Sequence, residues 1–590
     1  MHLHTEYSLL DGAIKVKELV KTVAKMGMPA VAMTDHGNMY GAYKFNQSVI
    51  NYNKSVKAYN ADPSHTDKKQ PIKGIIGCEF YVCPNHKVKS GRDETSHLIL
   101  LAKNMQGYQN LCRLNSYAYV DGFYYKPRID YDLLEQYHEG LICTSACIIG
   151  DIPKLILSRR FDEAEALALR LKKIFGDDFY FEVQNHYLNE ELAVRLKLRE
   201  MGEKLGIKLV ATNDCHYKLK EDAEVQDVLM CISTKKTFDD PTRMKFNAPE
   251  YYIKTREEME QVLQGFEDAL DNTLEIADKC EQIELVKQDL IPGYTPDDGS
   301  TPEEYLRRIT EEGLKEKYKE ITPQIRERVE YEMGLINKMK FTEYFLIVWD
   351  FIHYAESHGI EVGPGRGSGA GSIIAYAIGI TKVEPLQYQL IFERFINPER
   401  VSMPDFDIDF PSDTWIEVRN YCRQKYGEDK FCGIVTYGTM AAKAVVKDVA
   451  RVFRMPFSEV NVLTKGIDPK PIFNKDKLKF IFGVADPNFK ADSEDFQQKY
   501  NNDLKCVNPE LRELYLNDPN IKRIIDIAIK LENMPRQTGQ HAAGHIICKK
   551  TLRDNIPLCV NSGSDIMLTQ YDKTEVEELG FLKMDYLRIN

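Results

Sequence analysis

The run Pro404-Asp405-Phe406-Asp407-Ile408-Asp409-Phe410 alternates three carboxylates with three large apolar side chains. Period two is strand patterning, so Asp405, Asp407 and Asp409 share one face while Phe406, Ile408 and Phe410 pack the other. Carboxylates stacked in this way repel one another, and a row of hard oxygen ligands suits a divalent cation such as Mg²⁺. Taken alone, an acidic edge strand that discourages aggregation has the same pattern. Upstream, Gly363-Pro364-Gly365-Arg366-Gly367-Ser368-Gly369-Ala370-Gly371-Ser372 runs into the apolar, helix-like segment from Ile373 to Ile380. A glycine loop entering a helix presents free backbone N–H groups and the positive dipole end, a setting for phosphate oxygens. It lacks the Gly-Lys-Ser/Thr of a Walker loop and does not keep Rossmann spacing, and a flexible turn has the same composition. Between loop and acids, the stretch from Phe392 to Arg400 supplies the guanidinium groups of Arg394 and Arg400, which can grip phosphate in bidentate fashion. A phosphate cradle, arginines and metal-binding acids in one short span point to phosphoryl or nucleotidyl transfer.

A second constellation begins at the first residues. His2 and His4 stand at i and i+2, on one face of a strand. Lys15 to Met26 carries a helical apolar stripe. Ala30 to Gly37 reads as a buried strand ending in Asp35, His36 and Gly37. The pattern recurs in Ile72 to Val82 with Glu79, Gly140 to Cys147, Asp178 to Gln184, and Ile207 to Asn213 leading into Asp214-Cys215-His216. Strands alternating with helices imply a parallel sheet, and acids, imidazoles and a thiol at strand ends mark the active rim of a β/α barrel. His97 heads an apolar run instead of ending one, so spacing alone does not select it.

Five stretches carry a family resemblance: Gly363 to Ser372, Phe392 to Phe410, Thr436-Tyr437-Gly438-Thr439-Met440-Ala441-Ala442-Lys443-Ala444, Gly539-Gln540-His541-Ala542-Ala543-Gly544 and Leu582-Lys583-Met584-Asp585-Tyr586-Leu587. In this order they resemble the catalytic (alpha) subunits of bacterial DNA polymerase III, the C-family DNA polymerases, and the likeness extends from end to end. The resemblance implies an α/β multidomain chain: a polymerase and histidinol phosphatase (PHP) domain of distorted β/α-barrel type at 1–280, a polymerase-beta-like nucleotidyltransferase palm at 281–435 and 516–590, and a mainly helical thumb at 436–515. It implies template-directed DNA synthesis in replication, with Asp405, Asp407 and Asp585 as catalytic carboxylates holding two Mg²⁺ ions. Gly367, Ser368, Arg394 and Lys583 are then the nucleotide-binding residues, and Asp409 is structural. In the PHP domain nine positions match the family's trinuclear centre: His2, His4, Asp11, His36, Glu79, His97, Cys147, Asp214 and His216. Imidazole, thiolate and carboxylate together suit Zn²⁺ or Mn²⁺, and the full set implies metal-dependent 3′–5′ exonuclease proofreading. Primer–template DNA, dNTPs and replisome subunits are the implied partners. The family motif continues beyond Leu587 where this chain reads Arg588-Ile589-Asn590, so the expectation is a fragment without fingers or clamp-binding segment. The alternatives are a PHP phosphoesterase or nuclease alone, or a non-catalytic scaffold.

Composition sets the frame. The 590 residues carry a net charge of −12, which argues against nucleic-acid binding by overall field and requires any DNA groove to be locally basic. Lys443, Lys447, Arg451, Arg454, Lys465, Lys470, Lys475, Lys477 and Lys479 form the most basic region, suited to phosphate contacts or to a solvated charged helix. Gly122 to Arg128, aromatic and basic, suits stacking on a nucleic acid strand, or a buried aromatic corner. Asn51 to Lys69 reads as a polar surface insertion, with His65 and His86 solvated and His353 and His358 structural. The thirteen cysteines lack paired spacing and read as reduced thiols. No apolar run approaches a membrane span, so a cytoplasmic protein is expected, with no membrane partner.

Overall fold

The computed structural model describes all residues except 93, 398, 400–403, 468–476, 485–506, 562–565 and 590. Arg400, Lys470 and Lys475 therefore lie outside the described residues. The chain is of mixed α/β type and forms two compact units, Met1–Glu284 with Tyr437–Thr538, and Leu285–Thr436 with Gly539–Asn590. Among the described residues no helix is long and apolar enough to cross a membrane, and the twelve described cysteines are all free and buried.

The first unit is built on β1 (Ala30–Met33), β2 (Lys73–Val82), β3 (Ser96–Ala102), β4 (Arg128–Ile129), β5 (Leu141–Thr144), β6 (Phe179–Val183) and β7 (Lys208–Ala211). They pair in the order β1-β2-β3-β5-β6-β7, with β4 on β2. All ladders are parallel except β2–β3 and β3–β5, which makes β3 the single reversed strand of this sheet. Residues 2–5 join the two edges. Thr34 N–H donates to Leu3 O at 2.9 Å, His4 N–H donates to Cys215 O at 2.8 Å, and Cys215 N–H donates to His2 O at 3.1 Å. The predicted first helix forms as Val16–Lys25, burying Val16, Leu19, Val20 and Val23.

Two expectations for this unit change. The first eleven residues of Asn51 to Lys69 continue the twenty-residue helix Ala42–Ala61; its sparse apolar positions face inward and the rest is solvated, so composition mimicked a loop. His86 is buried, not solvated, and pairs with Asp130. Arg128 donates to the carbonyls of His86 and Val88, which pins a turn-rich loop to the body. His65 stacks on Tyr59 with ring centres 3.7 Å apart.

The later segment of this unit is helical, with Ala442–Val452 and Pro519–Leu531 packed together. Their apolar faces share a core with Val225, Val228, Leu229 and Ile232 of the helix Ala223–Thr234. The sequence boundary at 515/516 sets Pro519–Leu531 apart from Ala442–Val452, whereas the compact unit runs on to Thr538. Lys443, Lys447 and Arg451 lie exposed along Ala442–Val452, with Arg454 beyond its end.

The second unit centres on a sheet ordered β11-β12-β9-β10-β13-β8, from β8 (Asp407–Pro411), β9 (Phe431–Thr439), β10 (Pro535–Ile547), β11 (Leu558–Cys559), β12 (Leu568–Thr569) and β13 (Leu582–Ile589). Thr301 caps the helix Pro302–Lys317 reciprocally with Glu304, and Pro302 occupies its first turn, the pairing its sequence calls for. The helix Thr342–Ser357 supplies Phe345 and Phe351 to a core with Phe406, Ile408, Phe410 and Tyr586.

The glycine loop differs from expectation at its far end. It feeds only a short helix, Ile373–Ala377, whose first N–H groups are already taken. Glu332, fully buried, accepts from Ile373 N–H at 3.1 Å, Ile374 N–H at 3.3 Å and the Ser372 hydroxyl at 2.7 Å. Arg328 bonds the same carboxylate at 2.7 Å and donates to Gly371 O at 2.8 Å. An internal carboxylate thus fills the anion position at this helix start, leaving the preceding turn to meet a ligand. Removing it strands a guanidinium and two buried N–H groups, so Glu332→Ala is expected to cost about 3–5 kcal/mol, read as a lower denaturation midpoint; Glu332→Gln should cost less.

Candidate metal centres

In the first unit all nine predicted side chains meet at one rim. His2, His4, Glu79 and Asp214 present ligand atoms within 4.8 Å of one another, as do His4, His36 and His216, and Glu79, His97 and Cys147. Glu79 is the hub: Oε2 lies 2.8 Å from His2 Nε2, and Oε1 lies 2.6 Å from His36 Nδ1 and 3.0 Å from His97 Nδ1. Asp11 Oδ2 is 2.8 Å from His36 Nε2 and 3.5 Å from His216 Nε2. Cys147 Sγ lies 3.7 Å from His97 Nδ1.

The reversed strand explains His97. Because β3 runs antiparallel to β2, with Tyr81 opposite His97, its beginning lies where its neighbours end. A residue heading a strand therefore joins residues that finish strands, and period and order in the sequence do not report strand direction.

Two features fit these residues to cations. His2 Nε2 and His4 Nε2 stand 3.1 Å apart, and each is 3.1 Å from Asp214 Oδ1, although that oxygen takes up no hydrogen bond of ordinary geometry. Donors sharing one ion at bonds of about 2.0–2.2 Å lie roughly 3 Å from each other. Burial, reinforced by the neighbouring His36 and His216 rings, pushes the His4 imidazole down to about 3, so the ring keeps its lone pair at neutral pH. Burial alone would raise Glu79, but the imidazoles of His97 and His36 outweigh it and hold the carboxyl well below its usual range.

Sequence reasoning missed Glu182. It is the fourth of the five residues of β6, buried, with Oε1 2.6 Å from His2 Nδ1. Thr144, Thr212 and Gln184 also donate to it. A carboxylate on the far nitrogen of an imidazole fixes its tautomer and directs the other nitrogen at a metal. The available signal was an acid inside the otherwise apolar Phe179-Tyr180-Phe181-Glu182-Val183.

In the second unit the parallel pairing of β13 with β8 sets Asp585 opposite Asp407. Asp405, just before β8, brings its carboxylate within 4.8 Å of both. Phe406, Ile408 and Phe410 are buried on the other face, as alternation requires. Lys583 shares the strand face of Asp585, with Nζ 2.9 Å from Asp405 Oδ2 and also bonded to Asp585. Burial disfavours its charge, yet Asp585 and Asp405 more than compensate and raise its pKa. This ammonium occupies the place of a cation among the acids, and Oδ1 of both Asp405 and Asp585 remains buried without a hydrogen bond. The donor set is all hard oxygen, which fits Mg²⁺ better than a thiophilic ion.

Gly367 closes on this group. Its φ is +72°, and a Cβ there would stand 3.0 Å from Asp407 Oδ2, so the loop approaches the carboxylate only as glycine. Ser368 is exposed beside it. Arg366 pairs with Asp409 at 3.3 Å, which leaves Asp409 facing the loop, apart from the other three acids. Arg394 stands exposed on the single turn Phe392–Arg394, outside the hydrogen-bonded set around the carboxylates.

Residues 1–186 match the model of the PHP domain, and residues 304–588 match that of the bacterial DNA polymerase III alpha NTPase domain. The chain is similar throughout to the DNA polymerase III subunit alpha of Borreliella burgdorferi, 44% identical over 593 residues, with all of this chain and 48% of that protein covered. The subunit of Treponema pallidum is 42% identical over 593 residues, covering all of this chain and 47% of that protein, and that of Aquifex aeolicus is 40% identical over 616 residues, covering all of this chain and 51% of that protein. The chain spans about half the length of the curated relatives it matches. With both domain types in this order and relatives aligned over all its residues, the chain belongs to the family of bacterial DNA polymerase III alpha subunits.

Proposed function

We propose that this chain carries the catalytic palm of a template-directed DNA polymerase, which joins a dNTP to a primer 3′-hydroxyl during bacterial replication. The carrying observation is the register that sets Asp585 against Asp407 with Asp405 alongside. In this reading the second unit is a palm of polymerase-beta-like type, and the helical segment after Thr436 is a thumb whose exposed lysines and arginines hold duplex phosphates. Asp405, Asp407 and Asp585 would hold two Mg²⁺ ions; when bound, these lower the pKa of the 3′-hydroxyl and stabilise the departing pyrophosphate. Gly367 and Ser368 turn backbone N–H and hydroxyl toward the triphosphate, and Glu332 keeps that turn in place from behind. Lys583, held by Asp405 and Asp585, supplies positive charge for a triphosphate oxygen, and Arg394 reaches the same phosphates from its exposed turn. Primer–template DNA, dNTPs and replisome subunits, the sliding clamp among them, are the partners, and the cytoplasm is the site of action.

The convergence of nine metal-competent side chains supports a second activity in the same chain. The first unit, read as a distorted β/α barrel closed by residues 2–5, would hold Zn²⁺ or Mn²⁺ and remove mispaired nucleotides from a 3′ end. Water adds across the terminal phosphodiester, which leaves a nucleoside 5′-monophosphate and a new 3′-hydroxyl. Bound metal would supply a hydroxide at neutral pH. Glu182 and Glu79 keep the imidazoles oriented, and the walls around them limit solvent.

Asp407→Asn, placed in the full-length context, is expected to lower primer extension at least about 100-fold while sparing Mn²⁺-dependent degradation of a mispaired primer. His4→Ala should do the reverse. Extension at the wild-type rate by the Asp407 variant would remove the palm assignment. Glu182→Gln should weaken transition-metal affinity by about 10–100-fold, measured by competition with a chelating dye; unchanged affinity would leave His2 without a ligand role.

A further inference from the structure

The turn Gly122-Phe123-Tyr124-Tyr125-Lys126-Pro127-Arg128 has no part in the chemistry above, yet it lies against the first metal centre. Pro127 packs where a Cβ on Gly37, next to His36, would stand, with Cγ 3.0 Å from that position. Lys126 Nζ lies 4.6 Å above the Tyr81 ring, whose centre is 5.4 Å from that of His97.

Hydrogen bonds and ring packing tie this turn down and leave Phe123 and Tyr125 facing outward. Arg128, buried, donates to Gly122 O at 3.0 Å and Val88 O at 2.8 Å and lies 5.0 Å from the Tyr124 ring centre. The Tyr124 hydroxyl donates to Gly91 O at 2.8 Å. Tyr125 sits at φ +59°, a conformation that costs a non-glycine residue about 1–2 kcal/mol. It is nevertheless 74% exposed, with Phe123 40% exposed. Strain persists where surrounding bonds over-determine it, and here those bonds hold a large ring in water. The loop tied to Tyr124 carries the exposed cations Lys87, Lys89 and Arg92, set in the sequence against two acids, Asp93 and Glu94. Arg92 also lines a cavity of about 500 Å³ where the cations Lys154 and Arg160 stand with the acids Glu94 and Asp151 beside Ser96, the residue before His97.

We infer that Tyr125, with Phe123 and Lys126, forms a stacking platform for the unpaired end of a nucleic acid strand entering the first metal centre. Exposed aromatic rings interleaved with cations are the chemistry of sequence-tolerant single-strand binding, and an acidic chain needs such local cationic ground to hold phosphates. The inference rests on reading that centre as a phosphodiester hydrolase.

The test uses the whole chain and a 5′-fluorescent oligothymidylate ending in 4-thiothymidine, crosslinked by near-ultraviolet light in the presence of Mn²⁺. The crosslinked peptide should contain residues 123–126. Tyr125→Ala should weaken oligonucleotide binding by about 5- to 100-fold, whereas Tyr125→Phe, which keeps the ring, should bind as wild type. Hydrolysis of bis-p-nitrophenyl phosphate, too small to reach the platform, should be unchanged in both variants. Crosslinks only elsewhere, or Tyr125→Ala binding at wild-type affinity, would overturn the platform. A wild-type chain that hydrolyses neither the small diester nor the oligonucleotide would overturn the hydrolase reading, while the crosslink map still decides the platform.

Discussion

Carboxylates cannot be gathered in a half-buried site without a positive charge among them. Two like charges 4 Å apart repel by about 4 kcal/mol at an effective dielectric near 20, and both sites collect acids at about that spacing. In the second unit Lys583 supplies the compensation from the strand that also carries Asp585. In the first, imidazoles surround Glu79, Asp11 and Asp214 and hold the carboxyls in their charged form. Sheet register, the glycine approach at Gly367 and the packing of phenylalanines behind β8 all serve to keep this costly arrangement in place.

Each set also has atoms left over. Asp214, Asp405 and Asp585 each retain a buried oxygen without a hydrogen bond, where protein interiors ordinarily satisfy such atoms. The two sets nevertheless differ in chemical kind. Nitrogen and sulphur mixed with oxygen favour borderline ions, whereas oxygen alone favours hard ones. One chain thus gathers two donor sets of different chemical kind.

Much of this was legible in the sequence. Period-two alternation placed Asp405, Asp407 and Asp409 opposite the apolar side chains between them, and the apolar stripe in Lys15 to Met26 marked the helix that forms as Val16–Lys25. Acids, imidazoles and a thiol along or at the ends of strands located seven of the nine side chains of the first rim, while Asp11 and His97 came only with the family resemblance. What escaped depended on contacts distant in the chain. His97 needed the direction of β3, Glu182 needed a partner 180 residues away, and the helix after the glycine loop looked open until Glu332, about forty residues earlier, filled it. His86 and the residues after Asn51 were misread because polar composition describes what a segment is made of, not what it lies on.

The chain leaves the second unit at Tyr437 and returns at Gly539, and both passages fall inside the strands β9 and β10 instead of in loops. The amino-terminal unit is consequently discontinuous, since Val225 and Val228 share their core with Val446 and Val449 from the later segment. Neither end of the polypeptide can be trimmed to isolate it: a cut at residue 284 would expose the apolar side of Ala223–Thr234 and leave its cover on the other piece. The later segment, Tyr437–Thr538, is therefore part of what completes the core of the amino-terminal unit.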